Sequence, residues 1–285
     1  MILVTGGTGF VGSALVEELK KENDVAVFSR KPMHHTITGD ISDYKAVYSA
    51  AKDADVIFHL AAELDQFAPY ERHHKTTVQG TLNVMKAAEK TGAKVIYMSS
   101  NAVLNKNKTN YSIAKAEAED IVKSYWGKIE VPIIRASLIY DRELIMKLKK
   151  ASYLPFPWKR QKIHPVYRGA LVQALIGAME YGQSDIYSVA DQRPVLLTKL
   201  FKEIARPRPM LWIPPQVIWL GIAAAYPVEW FARLTRTRPV TTPAFIRSVF
   251  EERVLDIGKA ERRLKYKPVD TLGMVRKFKS GDTEI

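Results

Sequence analysis

Residues 1–13 read MILVTGGTGFVGS, and the fold of the whole chain turns on them. Ile2, Leu3 and Val4 form a short apolar run with no amphipathic period, as a buried strand does. Gly6, Gly9 and Gly12 follow at a spacing of three. The pattern then turns helical, with Phe10, Val11, Ala14, Leu15 and Leu19 on one side and Glu17, Glu18, Lys20 and Lys21 on the other. Strand, glycine turn and helix in this order let backbone amides approach a pyrophosphate, which the positive end of the helix then faces. The loop also reads as GxGxxG from Gly7, so spacing leaves the subclass open. A glycine-rich turn without a ligand is the plain alternative.

Outward from this stretch, strands and helices alternate. Val25 to Phe28 is a second apolar run, closed by Ser29-Arg30-Lys31. In a dinucleotide fold a carboxylate here binds the ribose 2′-hydroxyl of NAD, and an arginine accommodates the 2′-phosphate of NADP. The acid is missing and two cations follow Ser29, so NADP is favoured over NAD. Ordinary exposed loop cations are the alternative. Ile37 to Asp40 is a short strand whose carboxylate can meet the adenine, with Ile41 next to it. Residues 42–52 read as a helix with Ser42 as N-cap. Asp55 to Leu60 is a buried strand, and the small Ala61 and Ala62 after it allow close approach of a cofactor. His59 lies inside this apolar run and reads as structural.

A long helix is expected over about Pro69 to Thr91. Its neighbours His73 and His74 do not face the same way, which argues against a shared metal. Lys94 to Met98 is the next strand and ends in Ser99-Ser100. The alternation predicts an α/β fold, a Rossmann-type doubly wound parallel sheet with a smaller, mostly helical C-terminal substrate region. The expected cofactor contacts are Thr5, Gly6, Gly9, Phe10, Val11, Gly12, Ser29, Arg30, Lys31, Asp40, Ile41, Leu60, Ala61, Ala62, Ser99, Tyr111 and Lys115. Residues 1–150 would be the dinucleotide-binding core and 151–285 a substrate-binding or lid region, with about 164–190 returning to the core.

Tyr111 and Lys115 stand four apart in the helical stretch YSIAKAEAEDIVKSYW, on one face and one turn apart. A phenol titrates near ~10, too high to exchange protons readily at neutral pH, and a neighbouring ammonium stabilises the phenolate. Tyr111 can then exchange a proton with an alcohol or ketone oxygen while hydride moves. Ser100, at the C-terminal end of a strand, can donate a hydrogen bond to the same oxygen. The pair alone is a common spacing; its weight comes from following Ser99-Ser100 by one strand-loop-helix step.

These residues together resemble the extended short-chain dehydrogenases/reductases, which include the NAD(P)-dependent epimerase/dehydratase group. The resemblance rests on TGGTGFVGS (5–13), GD (39–40), DVIFHLAA (55–62), VQGTLNVMKAA (78–88), VIYMSSNAV (95–103), YSIAK (111–115) and RASLIY (135–140). It implies Ser100, Tyr111 and Lys115 as the catalytic set, NAD or NADP as cofactor, a small-molecule substrate, and a homodimer through the helices at about 69–91 and 111–126. Asn101-Ala102 stand where dehydratases of the family carry Asp-Glu, so dehydration is not expected. Leu138 replaces an Asn that helps hold diphospho-sugars, which suggests a more apolar substrate. Asp141-Arg142 replace the usual Gly-Pro, and Lys265 replaces a glycine in the closing helix. The closing segment VLDIGKAERRLKYKP (254–268), with an apolar helix and an arginine-rich link before it, is similar to the 3β-hydroxysteroid/sterol dehydrogenase branch.

The chain has 285 residues and no cysteine, which excludes disulfides, thiolate metal sites and a cysteine nucleophile. Met1 opens on the first strand, and a cytoplasmic protein is expected. The formal charge of +13 is unevenly placed: residues 1–141 carry 17 basic and 17 acidic side chains, so the excess lies beyond them. No nucleic-acid-binding module is recognisable, and nucleic acid is not an expected partner. Leu211 to Leu234 is rich in Trp and apolar residues, but its uninterrupted apolar run, Val217 to Tyr226, is far below the ~20 residues of a membrane span. With Arg206, Arg208, Arg233, Arg236 and Arg238 beside it, the stretch 211–238 suits a lid over an apolar pocket, a peripheral membrane contact, or both. Pro155, Pro157 and Trp158 are expected to form the facing wall. The leading expectation is hydride transfer on a secondary alcohol or ketone of a fairly apolar, steroid- or isoprenoid-like substrate. A sugar-nucleotide epimerase or reductase, using Lys159, Arg160 and Lys162 for a diphosphate, is the alternative. A cofactor-binding subunit without catalysis is a third, disfavoured by the intact Tyr111–Lys115 pair.

Overall fold

A computed structural model describes residues 1–32, 36–150, 156–157, 161–205, 212–235, 239, 241–249 and 251–281. Its strands are β1 (Ile2–Thr5), β2 (Val25–Ser29), β3 (Thr36–Thr38), β4 (Val56–His59), β5 (Lys94–Ser100), β6 (Ile133–Ala136) and β7 (Ile186–Val189). They form one sheet in the order β7-β6-β5-β4-β1-β2-β3. Every adjacent pair is parallel, with Thr5 opposite both Phe28 and His59. The strand order reverses between β1 and β4, which opens a crevice at their carboxyl ends. The doubly wound Rossmann-type sheet expected from the alternation is therefore present.

The helices are α1 (Phe10–Leu19), α2 (Tyr44–Ala51), α3 (Tyr70–His73), α4 (Gly80–Thr91), α5 (Asn110–Ser124), α6 (Arg142–Lys150), α7 (Arg168–Tyr181), α8 (Leu197–Ala205), α9 (Pro215–Thr235), α10 (Pro243–Val249), α11 (Gly258–Leu264) and α12 (Thr271–Ser280). A strand covered on both faces reads as continuously apolar, because alternate residues enter opposite cores. In β1, Ile2 and Val4 join a core with Leu15 of α1 and Leu171 of α7, whereas Leu3 joins one with Met85 of α4 and Val122 of α5.

Two local expectations are corrected. Residue 42 does not cap α2: the Asp43 carboxylate accepts from the Lys45 and Ala46 amides, and the Ser42 hydroxyl turns back to Asp40. A carboxylate one residue nearer the first turn outcompetes the hydroxyl for these amides. The long helix over 69–91 is present but not uniform, since a π-helical turn, His74–Gln79, joins α3 to α4.

The C-terminal part is fastened to the sheet beyond β7. Asp191 is fully buried and accepts from the Tyr140 hydroxyl (2.7 Å), the Thr271 hydroxyl (2.7 Å) and the Tyr167 amide (2.9 Å). Tyr266 donates to the carbonyl of Ala190 at 2.8 Å. Lys265, where the family resemblance expects glycine, is left-handed at φ 53°, and its ammonium lies 3.8 Å over the Tyr181 ring. Removing the Asp191 carboxylate strands three buried donors. Asp191→Ala is expected to cost about 2–4 kcal/mol, read as a lower urea midpoint; an unchanged midpoint would contradict this anchoring role.

Candidate functional site

The site grows from the turn after β1. Gly6 is left-handed at φ +73°, and a Cβ there would stand 2.7 Å from the Ala61 nitrogen. A Cβ on Gly12 would stand 2.2 Å from the Gly6 carbonyl oxygen. Only hydrogens fit at these positions, so the turn lies tight against the end of β4 and α1 begins without a side-chain cap. The free amides of that helix end and the space kept clear by glycine fit a dinucleotide diphosphate. Among the expected contacts, Gly9 and Phe10 are exposed, but Val11 is in the core. The helical pattern placed Phe10 on the buried side; it is 43% exposed instead, beneath the Arg168 guanidinium at 4.9 Å. Arg168 is in turn paired at 3.1 Å with buried Asp141, the residue that stands where the family has glycine.

Thr5 and His59, at the ends of β1 and β4, belong to a buried relay. Thr81 donates to the Thr77 carbonyl (2.6 Å), so its oxygen accepts from His59 Nε2 (3.0 Å). Nδ1 then accepts from the Thr5 hydroxyl (2.7 Å), whose oxygen lies 3.4 Å from the Ala61 amide. Burial holds the imidazole neutral, with its pKa down to about 3. His59 is thus structural, as its apolar surroundings in the sequence suggest. Leu60, Ala61 and Ala62 line the crevice half-buried.

At the far end of the crevice, Arg30 and Lys31 are exposed and Ser29 half-buried, its hydroxyl accepting from the Lys31 amide at 3.2 Å. Asp40 accepts from the Ser42 amide and hydroxyl, both at 2.9 Å. The Ser42 amide, more than Lys75 and Arg30, holds its carboxyl below the usual range. Lys75 reaches this corner from the π-helical turn, which no local pattern in the sequence signals. The side chain of Ile41 is packed under Gly80 in the core.

Ser99 and Ser100 point to opposite faces of β5. Ser99 is buried and donates to Glu119 at 2.5 Å, and Arg135 grips the same carboxylate at 2.9 and 2.6 Å. Ser100 ends the strand, accepts from the Ala102 amide at 3.2 Å, and interacts with Tyr111. A Thr109–Ser112 capping box starts α5 and fixes Tyr111 in its first turn. Burial pushes the Tyr111 hydroxyl up, and Ser100 opposes the shift. Lys115, one turn on, directs its ammonium to the Met98 carbonyl at 2.8 Å and lies 5.0 Å over the Tyr97 ring. Burial brings its pKa down to about 8. In the bare protein, then, burial rather than the lysine sets the phenol. A further neighbour is His73: its ring meets Tyr111 edge-on at 6.2 Å, while Nε2 donates to the Asp65 carbonyl at 3.0 Å. Spacing separated His73 from His74, and one is buried while the other is exposed. His34 and His35 lie outside the described residues.

Residues 2–140 match the NAD dependent epimerase/dehydratase family. Over that segment, just under half of its length, the chain is similar to the extended short-chain dehydrogenases/reductases. It is 31% identical over 161 residues to the N-acetyl-alpha-D-glucosaminyl-diphospho-ditrans,octacis-undecaprenol 4-epimerase of Escherichia coli O157:H7. That match covers 49% of this chain and spans about half, 49%, of the relative. Over 94% of the chain and 76% of the relative it is 25% identical to 3beta-hydroxysteroid-dehydrogenase/decarboxylase isoform 1 of Arabidopsis thaliana. In fold it is similar to a UDP-glucose 4-epimerase of Thermotoga maritima solved with UDP-glucose, with a TM-score of 0.75, 19% identity, and coverage of 98% of this chain and 99% of that one. The glycine turn follows β1 and Ser100 ends β5, so both lie at the carboxyl edge of the sheet.

The lysine gives a stability test. A pKa lowered from 10.5 to about 8 means that the folded protein penalises the ammonium fully below about pH 8 and is relieved as pH rises towards 10.5. Lys115→Met removes the penalty and loses the bond to Met98. It is expected to raise the melting temperature at pH 7 by about 3 °C, a gain that shrinks above pH 8, while activity falls. A melting temperature that drops equally at pH 7 and 10 would reject this account.

Proposed function

We propose that this protein is an oxidoreductase that prefers NADP(H) and moves hydride between the nicotinamide and a secondary alcohol or ketone of a fairly apolar substrate. The observation that carries the reading is the edge of Ser100, Tyr111 and Lys115 beside the glycine turn. The dinucleotide supplies or accepts the hydride when bound. The chain does the rest. Gly6, Gly9 and Gly12 and the start of α1 hold the diphosphate. Tyr111 gives its proton to a ketone oxygen, or takes one from an alcohol, and Ser100 donates a hydrogen bond to that oxygen. Because burial raises Tyr111, the free protein holds it as the acid, the form that a ketone requires. Lys115 places a positive charge of tuned basicity one turn away. Leu138, 61% exposed, presents an apolar side chain where diphospho-sugar binding in the family uses an amide.

The sterol dehydrogenase relative, which aligns along most of the chain, supports the apolar substrate. A sugar 4-epimerase is the second reading, favoured by the identity to the E. coli relative; Lys162 is exposed near the short strand pairing Lys162–Ile163 with Val195–Leu196, whereas Lys159 and Arg160 lie outside the described residues. Cytoplasmic placement goes with this reading, with α9 resting against a membrane rather than crossing it.

Tyr111→Phe keeps the ring and removes the proton. Hydride transfer to or from the true substrate is expected to fall more than about 100-fold, and activity within tenfold of wild type would sink the assignment. Thermal stabilisation by UDP- or dTDP-sugars in place of apolar ketones would favour the second reading.

The cofactor preference is tested apart from turnover. Arg30, with Lys31 and Lys75 near it, is expected to make NADP bind more tightly than NAD to the free protein. Arg30→Ala should weaken NADP by about tenfold, or ~1.4 kcal/mol, and leave NAD unchanged. Tighter NAD than NADP in wild-type titrations would refute it.

A further inference from the structure

Helix α9 has its polarity reversed. Ile222, Ala225 and Ala232 form its buried stripe, with Glu229 half-buried among them, and the helix packs on α10. At a rotation of 100° per residue, the face turned directly away from that stripe carries Leu220, Ala223, Pro227 and Leu234. Trp219, Leu220, Trp230, Phe231 and Leu234 are each at least 60% exposed. A surface helix ordinarily places polar residues there, and an apolar patch of this size marks an interaction surface.

We propose that α9 lies in the plane of an anionic phospholipid bilayer and that the protein takes its apolar substrate from that bilayer. The substrate clause rests on the oxidoreductase reading; the docking clause does not. Charge complementarity identifies the occupant. Between residues 206 and 238 the sequence has five arginines and one glutamate, a strongly cationic stretch around an apolar helix, and its exposed tryptophans have the amphipathic form suited to headgroup depth. No described helix is long and apolar enough to cross a membrane, whereas lying flat requires only one apolar face.

The same helix is joined to the reacting edge. The Tyr226 hydroxyl accepts from Arg247 of α10 at 3.0 Å. Phe245 of α10 meets Phe67 edge-on at 4.9 Å. Phe67 stands two residues from Asp65, whose carbonyl holds His73 against Tyr111. A cavity of about 370 Å³ starts at Asn101, the residue after Ser100, and is lined by the apolar Leu104, Val254 and Leu255 and by the charged Lys106, Glu251, Glu252 and Arg253. A largely apolar molecule with a polar end suits this mixed lining, which begins one residue from Ser100.

The test is flotation of the purified full chain with vesicles of phosphatidylcholine alone and of phosphatidylcholine with 30% phosphatidylglycerol. Wild type is expected to float with the anionic vesicles at least tenfold more than with the neutral ones, and less as salt rises. Phe231→Glu is expected to cut flotation at least tenfold; Trp219→Ser tests the same face without adding charge. Unchanged NADPH affinity in solution shows that each variant is folded. Wild type remaining unbound, or Phe231→Glu floating like wild type, overturns the proposal. So does a dimer that Phe231→Glu dissociates in a chain that ignores vesicles, because the face then belongs to a second copy. Vesicle binding without oxidation or reduction of any vesicle-borne apolar alcohol or ketone would end the substrate clause and leave the docking clause standing. Turnover of a detergent-solubilised apolar substrate without vesicle binding would overturn both clauses and leave only the oxidoreductase reading standing.

Discussion

Only a hydrogen atom fits between residue 12 and the carbonyl oxygen of Gly6, and the remainder of the site follows from that contact. It draws the start of α1 onto the end of β1, while Gly6 in a left-handed conformation brings the same turn against the Ala61 amide just after β4. The sheet reverses its strand order between these two strands. One close approach thus leaves a crevice lined by main-chain amides at the point where a parallel sheet opens. Thr5, His59 and Thr81 lock it from below through hydrogen bonds that keep the imidazole neutral.

The Tyr111–Lys115 edge is governed by burial more than by charge pairing. Removal from water raises the Tyr111 phenol and lowers Lys115 to about 8, so both shift towards their neutral forms. Close beneath, the Glu119 carboxylate accepts from the Ser99 hydroxyl and from two nitrogens of Arg135. That bidentate pair ties α5, the helix that carries Tyr111, to β6.

The C-terminal half combines two demands. Its own fastening is polar and buried, through Asp191 and the carbonyl of Ala190. Its surface is the opposite, with α9 presenting aromatic and aliphatic side chains outward. The short strands Phe156–Pro157 and Trp212–Ile213 pair in parallel, just ahead of α9; Pro155 and Trp158 lie outside the described residues.

Much of this was legible in the sequence. Periodicity and turn chemistry are properties of a few adjacent residues, so the strand-glycine-helix opening, the alternation of elements, the Tyr111–Lys115 face and the apolar, arginine-flanked stretch near the C-terminus could all be read directly. What lay beyond reach were contacts between segments far apart in the chain. Phe10 fits an apolar stripe by spacing, yet it is 43% exposed and meets the guanidinium of Arg168, well over a hundred residues later. His73 is one of four histidines in adjacent pairs until the π-helical turn after it and the Asp65 carbonyl set it against Tyr111. Ser42 and Asp43 are both good caps, and only the turn at Asp40 decides between them. The sequence alone determined the architecture and the residue types of the chemistry, because both are written in local pattern. The tertiary structure decided which side chains meet, their protonation and which apolar face is left uncovered, because those depend on packing and removal from water.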